Sequence, residues 1–509
     1  MSGRYILALD EGSSSARAVL VDEHGETVAE SSEPISPIFP RPGWVELDPA
    51  ELWGALARSI ARTMASAGAT AADVAAVGLT THRETSVIWD RATGRPVHNA
   101  VMWMSKQTDD IVNGWSAAGL DPEFRRRTGL RNDSYFSAGK VAWLLEHVPG
   151  VRADAERGRL AVGTVDTWLL WNLTGGTVHA TDPSSASRTA LLDLSAARWD
   201  EEFCDRLGIS TALLPEVRPS DAWFGDLAPG ILPGPMTHPV PVRAILGDQQ
   251  AGLFGQACLG KGSAKNTYGT AGVLTVNVGD RPQVMPGMTS SVAWQFGDRV
   301  VYEAEGVVFH SGQTLQWLRD RLGILPHASR SESIAQSVDD NGGVYLVPAF
   351  AGLCDPYWDR DVRATIVGLT LDTDAAHVVR AALESMAYQT RDNIDALERG
   401  GLRIPELRVD GGAVANDFLC QFQADILGIP VDRPRGVERT ALGVAHVAGA
   451  GVGMWTLEEI AARWDRDRRF EPRMPSDERE ELYDGWRAAV EAARSIPARR
   501  RLDAPVPVA

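Results

Sequence analysis

Apolar residues come in short blocks along the first ninety positions, and each block stops at a small polar cluster. Residues 5–9 are apolar and end at Asp10; Glu-Gly-Ser-Ser-Ser follows, and the apolar pattern resumes over 18–21. This predicts strand, turn, strand, with a further turn at His24-Gly25. The stretch ELDPAELWGALARSIARTMASAG then changes period: Leu52, Leu56 and Ile60 recur at helical spacing. Asp48 is placed to cap that helix, with Pro49 at its first position and Glu51 three residues after the cap. Strands are predicted over 74–79 and 86–89, flanking the polar cluster TTHRET. Apolar blocks alternating between the two periods along the chain indicate an α/β layered fold.

The second half repeats part of this pattern. KNTYGTAGVLTVNVGD, residues 265–280, is again strand, small-residue turn and strand, a weak internal repeat of the opening. Residues 406–428 read as a strand, a Gly411-Gly412 turn and a helix, which aims helix N-terminal N–H groups over the turn. The long amphipathic stretch before it and residues 476–494 are predicted helices. Proline and glycine concentrate over 228–242, the best compositional candidate for a linker or an excursion. At 509 residues the chain is too long for one core. It divides into an N-terminal domain (1–250), a C-terminal domain (251–495) and a flexible tail (496–509).

Charge narrows the partners. The formal net charge is −17, which argues against nucleic acid or an anionic membrane as the main ligand. A phosphate ligand would need backbone N–H groups, a metal and a few placed cations. Cys204, Cys258, Cys354 and Cys420 are scattered and suggest neither a disulfide framework nor a zinc site. No signal-peptide pattern is seen, and the longest uncharged apolar window, 441–455, is short for a membrane span. A cytoplasmic enzyme is the expectation.

GQACLGKG (255–262) nearly matches a P-loop, but Gly262 stands where a metal-binding Ser or Thr is required and helix-like residues precede it. GAGVG (449–453) lacks the dinucleotide spacing and fits close helix packing better. Two small-residue hairpins and Gly411-Gly412 can instead form a phosphate cradle, with Asp10 holding a hard cation through water. Each hairpin alone reads equally as a plain chain reversal. Asp248 ends an apolar strand and is a candidate general base, or else a helix N-cap followed by a polar first turn. Arg83 and Glu84 read singly as a surface ion pair, and together with Asp248 as a clasp for vicinal hydroxyls. Trp103 and Tyr135 are candidate apolar walls, or core aromatics.

Ten ordered segments, among them ALDEGSSSARAV, HRETSVIWD, GTVDTWLLW, GDQQAGLFGQ, AKNTYGT and LRVDGGAVANDFL, resemble the FGGY carbohydrate kinases from about residue 5 to residue 490. Within that family the chain is most similar to the branch that phosphorylates glycerol. The resemblance implies two actin-like (ribonuclease-H-like) domains closing over ATP and a small polyol, and phosphoryl transfer to a terminal hydroxyl. By position, Asp10 would organise Mg²⁺, together with Asp248, and Ser13, Ser14 and Arg17 would approach the phosphates. Arg83, Glu84, Trp103, Tyr135, Asp248 and Gln249 would bind the polyol, Asp248 as base. Thr270, Gly312, Gln316, Gly412 and Asn416 would line the ATP site. The family also suggests a homodimer or homotetramer.

Several positions depart from that branch. Thr81-His82 replaces its Asn-Gln, Met104-Ser105-Lys106-Gln107 its Gln, Asp or Cys followed by Arg-Arg, and Cys354-Asp355 its Gly-Ala. The Gly-Lys-Gly-Gly-Thr-Arg loop tied to fructose-bisphosphate inhibition is absent, and Glu11 stands where Gln is usual. Val273 replaces a Phe that packs on the substrate carbons, and even one methylene of pocket space is worth about 1–3 kcal/mol of discrimination. That change points to a four- or five-carbon polyol or ketose (erythritol, threitol, xylitol, xylulose) as the alternative, while glycerol is the expected substrate because the Arg83-Glu84, Tyr135 and Asp248 set is intact. A non-catalytic sugar-binding paralogue and an actin- or chaperone-like ATPase switch are the competing classes.

Overall fold

A computed structural model describes residues 4–436 and 438–496; of the expected tail, 497–509 lies outside the described residues. The first sheet contains β1 (Tyr5–Glu11), β2 (Ser15–Asp22), β3 (Thr27–Pro34), β4 (Val74–Thr81) and β5 (Val242–Gly247), in the order β5-β4-β1-β2-β3. β1, β2 and β3 are antiparallel, whereas β4 and β5 run parallel to β1. β1 and β2 are longer than their apolar runs: Asp10 pairs with Arg17 and Glu11 with Ala16. Ladder hydrogen bonds extend each strand through polar residues that hydrophobic period alone assigns to the turn. The helix Pro49–Ala67 starts as predicted, with the Asp48 side chain accepting from the Ala50 N–H at 2.8 Å.

The second sheet contains β6 (Ala264–Tyr268), β7 (Gly272–Gly279), β8 (Thr289–Phe296), β9 (Arg299–Val308), β10 (Leu407–Asp410), β11 (Val431–Pro434) and β12 (Arg466–Phe470). Its order is β8-β9-β7-β6-β10-β11-β12. β6, β7 and β9 form an antiparallel set, and β10 and β11 run parallel to β6. That is the design of the first sheet repeated, so the weak sequence repeat is a true structural one. The chain has the duplicated actin-like, mixed α/β fold.

The two halves interlock through their crossing helices. Asp248–Gly255 follows β5, and Arg439–Gly451 follows β11 at the equivalent place. Arg439–Gly451, although encoded in the second half, packs on β1, β4 and β5. Glycines permit the close approach: a Cβ on Gly443 would lie 1.9 Å from the Ala251 carbonyl oxygen, and one on Gly255 2.1 Å from that of Arg439. The apolar 441–455 window is thus buried interface, not membrane span. No described helix is long and apolar enough to cross a membrane. The Pro/Gly-rich 228–242 stretch is an excursion of the first half. Leu232 and Val240 are buried in the first core, and the Pro233 carbonyl accepts from the Ala71 N–H at 2.8 Å.

Candidate active site

The C-terminal ends of β1, β4, β5 and β10 and the two hairpin turns gather the chemistry-bearing residues, as open α/β sheets do. β1 delivers Asp10, β4 leads into His82, Arg83 and Glu84, and β5 into Asp248, the first residue of the helix Asp248–Gly255. Gly247, not Asp248, is the helix cap.

Arg83 and Glu84 are not a surface ion pair. Both are buried, and each is paired elsewhere. Arg83 Nε lies 3.1 Å from Asp248 Oδ1, and Arg83 Nη2 lies 2.7 Å from Glu305 Oε2. Glu84 Oε1 lies 2.7 Å from Arg188 Nε, and Arg188 Nη2 reaches Glu305 Oε1 at 2.7 Å. Glu305 on β9 therefore ties Arg83 and Arg188 together from the second half. Burial would push its carboxyl up, but the charges of Arg188 and Arg83 win and hold it down. Glu303, two residues earlier, is pushed up by burial and by the charge of Glu305, and accepts from Gln250 Nε2 and Ser291 Oγ. Glu84 has a φ of 65°, a backbone region that costs a non-glycine residue about 1–3 kcal/mol. Its carbonyl accepts from Ser137 Oγ at 2.9 Å, which helps hold that conformation.

Trp103 and Tyr135 meet edge-on, with ring centroids 5.5 Å apart. The Trp103 indole N–H donates to Ser13 Oγ at 2.8 Å, linking the expected polyol wall to the first hairpin turn. Lys140 Nζ is fully buried and donates to the carbonyls of Ser134, Tyr135 and Phe136 at 2.6, 2.7 and 3.1 Å. Gln249 Oε1 accepts from Lys265 Nζ, which also donates to Thr267 Oγ1 at 2.7 Å. Lys265 is buried, and burial lowers its pKa. Arg188, Glu305, Lys140 and Lys265 escaped the sequence reading. Lys140 has only the signal of a charge inside a largely apolar helix, and the other three stand in no local pattern that marks them.

Asp10 is half-buried, and its carboxyl is pushed up to about 7, mainly by loss of solvation and further by Asp248 and Glu438, against the charge of Arg17. A carboxylate whose ionisation is disfavoured beside a second carboxylate suits a cation between them. Among the described residues no three His, Cys, Asp or Glu side chains gather into a metal cluster, so such an ion would take its remaining oxygens from ligand and water. Arg17 Nη1 is paired with Glu438 Oε2 at 2.7 Å, across the two halves. Ser14 is exposed and Ser13 half-buried at the turn.

Glu11 is fully buried with no hydrogen-bond partner on either oxygen. Burial first, then the charges of Asp10 and Glu51, push its carboxyl far up, so it is held neutral and adds no negative charge to the cleft. Strand alternation sends it to the face opposite Asp10. His82 is buried as well, its Nδ1 3.2 Å from the Glu11 carbonyl oxygen, and burial lowers its pKa. Ser105, in the altered segment after Trp103, is structural: its Oγ accepts from the Val45 N–H at 3.0 Å and donates to Gln107 Oε1 at 2.9 Å. Asp355 is buried, accepts from the Val307 N–H at 2.8 Å and from Trp358 Nε1 at 2.7 Å, and is pushed up to about 7 by burial.

The second-half candidates line the mouth of the β6–β7 hairpin. Thr270 is exposed in its turn, and its carbonyl accepts from the Ser311 N–H at 3.0 Å. Gly312 opens the helix Gly312–Asp320, where a Cβ would lie 2.7 Å from the Gly269 carbonyl oxygen; Gln316 is exposed on that helix. Gly411 has a φ of 88°, and a Cβ there would strike the Tyr268 backbone at 2.5 Å. A Cβ on Gly412 would meet nothing within 4 Å, leaving open room above the turn. Asn416 caps the helix Asp417–Leu427, its Oδ1 accepting from the Leu419 N–H at 3.0 Å.

The duplicated actin-like fold brings Asp10, Arg83, Glu84 and Asp248 to strand ends of the first sheet and Gly411-Gly412 to that of the second, the architecture of a small-molecule kinase. The model of the FGGY carbohydrate kinase N-terminal domain matches residues 5–255 and that of the C-terminal domain residues 264–452. The chain belongs to the FGGY family of carbohydrate kinases. It is 50% identical over 497 residues to a glycerol kinase of Symbiobacterium thermophilum, covering 97% of this chain and 99% of that protein. It is 47% identical over 496 residues to one of Thermus thermophilus, with the same coverage. Among solved structures, Plasmodium falciparum glycerol kinase with ADP superposes with a TM-score of 0.91 at 31% identity, covering 96% of this chain and 98% of that one.

Proposed function

We propose that the protein transfers the terminal phosphoryl group of ATP to a primary hydroxyl of glycerol, giving sn-glycerol 3-phosphate. The observation that carries this reading is the clasp: Arg83 and Glu84 are buried, oriented by Arg188 and Glu305, and joined to Asp248 through Arg83. Such a pair donates to one hydroxyl and accepts from the next. The similarity to glycerol kinases along nearly the whole chain supports glycerol as the phosphoryl acceptor.

Asp248, 28% exposed at its side chain, takes the proton of the attacking hydroxyl, while Arg83 holds its carboxylate in place. Trp103 and Tyr135 wall the carbon chain, and Gln249 completes the polar side. Ser13, Ser14 and Arg17 receive the phosphates; Thr270, Gly312, Gln316, Gly412 and Asn416 line the nucleotide. Asp10 and Asp248 would hold Mg²⁺, which supplies charge neutralisation on the transferring phosphates. Most of the catalysis is positioning and charge stabilisation, as phosphoryl transfer requires. The two sheets support a division near residue 250, with one built from residues 5–247 and the other from 264–470. We place the reaction in the cytoplasm, where ATP is available.

Purified protein with fixed MgATP, assayed for ADP release on glycerol, dihydroxyacetone, both threitols, erythritol, xylitol and xylulose, tests the reading. Glycerol should give the highest kcat/KM. A higher value on a four- or five-carbon substrate would reassign the substrate, and no polyol-dependent release would overturn the kinase activity.

A further inference from the structure

Three guanidiniums converge on a cavity of about 460 Å³ at the seam between the two halves. Arg125 and Arg131 come from the first half, Arg360 and Trp358 from the second. The seam is stitched beside it: the Ser290 N–H donates to the Gly129 carbonyl at 3.1 Å, and Arg125 donates to the carbonyls of Met285 and Met288. Burial and the charge of Arg131 lower Arg125 to about 10.

Arg131 is the unspent group. Its guanidinium lies over the Trp358 ring, 4.8 Å from the centroid. Its Nε is buried without a hydrogen-bond partner, and among the described residues no carboxylate pairs with it. Two carboxylates share the lining. Asp121 is occupied by Ser116 Oγ and Asn132 Nδ2, and Asp133 by Arg360 and the Tyr135 N–H. Three cations against two anions leave one net positive charge in a chain whose overall charge is −17. A rigid, stacked guanidinium fork with its donors unspent is matched to phosphate oxygens.

We propose that this seam cavity is an anion site for a phosphate group, carried by a small phosphate monoester or by free phosphate, with Arg131 as its principal donor and Arg360 as its second. The cavity volume exceeds what a bare ion fills. The reading stands independently of the substrate assignment. Because Asp133 holds both Arg360 and the Tyr135 N–H, the site abuts the loop that carries a residue of the clasp.

The test is thermal unfolding at constant ionic strength, with MgADP and glycerol saturating, titrated with inorganic phosphate and, separately, with ribose 5-phosphate. Wild type should show a saturable rise in Tm, and Arg131→Gln should weaken the midpoint at least tenfold while turning over glycerol as wild type does. Arg131→Lys, which keeps the charge and loses the fork, should fall between them. A response to both ligands assigns the phosphate group alone; a response only to ribose 5-phosphate assigns the monoester. An identical midpoint in Arg131→Gln, or no saturable rise in wild type with either ligand, overturns the proposal. Should Arg131→Gln fail to fold, Arg360→Gln carries the same comparison.

Discussion

Glu305 Oε2 lies 2.7 Å from Arg83 Nη2, so a carboxylate of the second half orients a guanidinium of the first-half clasp. The same carboxylate is ion-paired with Arg188 at 2.7 Å, and Arg188 in turn holds Glu84. Replacing Glu305 with Gln removes the charge that two buried cations share, leaving Arg83 to Asp248 and Arg188 to Glu84. Breaking a buried pair costs about 3–5 kcal/mol, so Tm should fall clearly. The KM for glycerol should rise about tenfold or more, the scale of one charge-assisted hydrogen bond of ~1.5–3 kcal/mol. The KM for MgATP should stay near wild type. Equal loss for both substrates would mean that Glu305 supports the fold and not the clasp.

Asp248→Asn isolates the base. Asp248 is partly exposed at the head of its helix, and Gly247 supplies the cap, so the fold should survive. An amide retains much of the hydrogen bonding but takes no proton. We expect kcat to fall by roughly 10²–10⁴-fold, with a smaller change in glycerol KM. Near-normal turnover would remove Asp248 from the proton-transfer step.

Much of this site was legible in the sequence because it lies where strands end. Asp10, Arg83, Glu84 and Asp248 each follow an apolar run, and Gly411-Gly412 separates a strand from a helix. The second hairpin was visible as an echo of the first, and the structure makes it the same position in a repeated sheet. What could not be read was pairing at long separation. Arg188 and Glu305 are 117 positions apart in the numbering yet form an ion pair, and neither sits in a local pattern that marks it. Local reading put Arg83 and Glu84 in one surface pair because neighbours in sequence were the only partners it could see. The crossing of Arg439–Gly451 onto the first sheet was likewise hidden, since apolar composition says that a helix is buried but not against what.

Glu11 gives a pH signature. Its carboxyl is raised in the folded protein by burial and by Asp10 and Glu51, against about 4.3 in the unfolded chain. Above that unfolded value the unfolded state sheds the proton and the folded state keeps it, so stability falls as pH rises. Glu11→Gln removes this dependence and keeps the shape. The variant should match wild type in Tm near pH 4.5 and exceed it by a margin that grows as pH rises above that. A pH-independent difference would show that Glu11 is ionised or solvated.

Arg17 is expected to receive a phosphate, yet in this structure it is held by Glu438 at 2.7 Å. Glu438 is 64% exposed at its side chain and Arg17 26%, so their pair is worth only about 0.2–1 kcal/mol. A nucleotide phosphate carrying more charge would displace the glutamate readily, but the displacement still costs that amount. Glu438→Gln removes the competitor and leaves Arg17 in place. The KM for MgATP should therefore fall by up to about fivefold, with glycerol KM unchanged. Because the pair is screened by salt, the advantage should shrink as ionic strength rises. Steady-state kinetics of wild type and variant at two salt concentrations measures both effects. A raised KM for MgATP would mean that Glu438 helps to hold the nucleotide instead of competing with it.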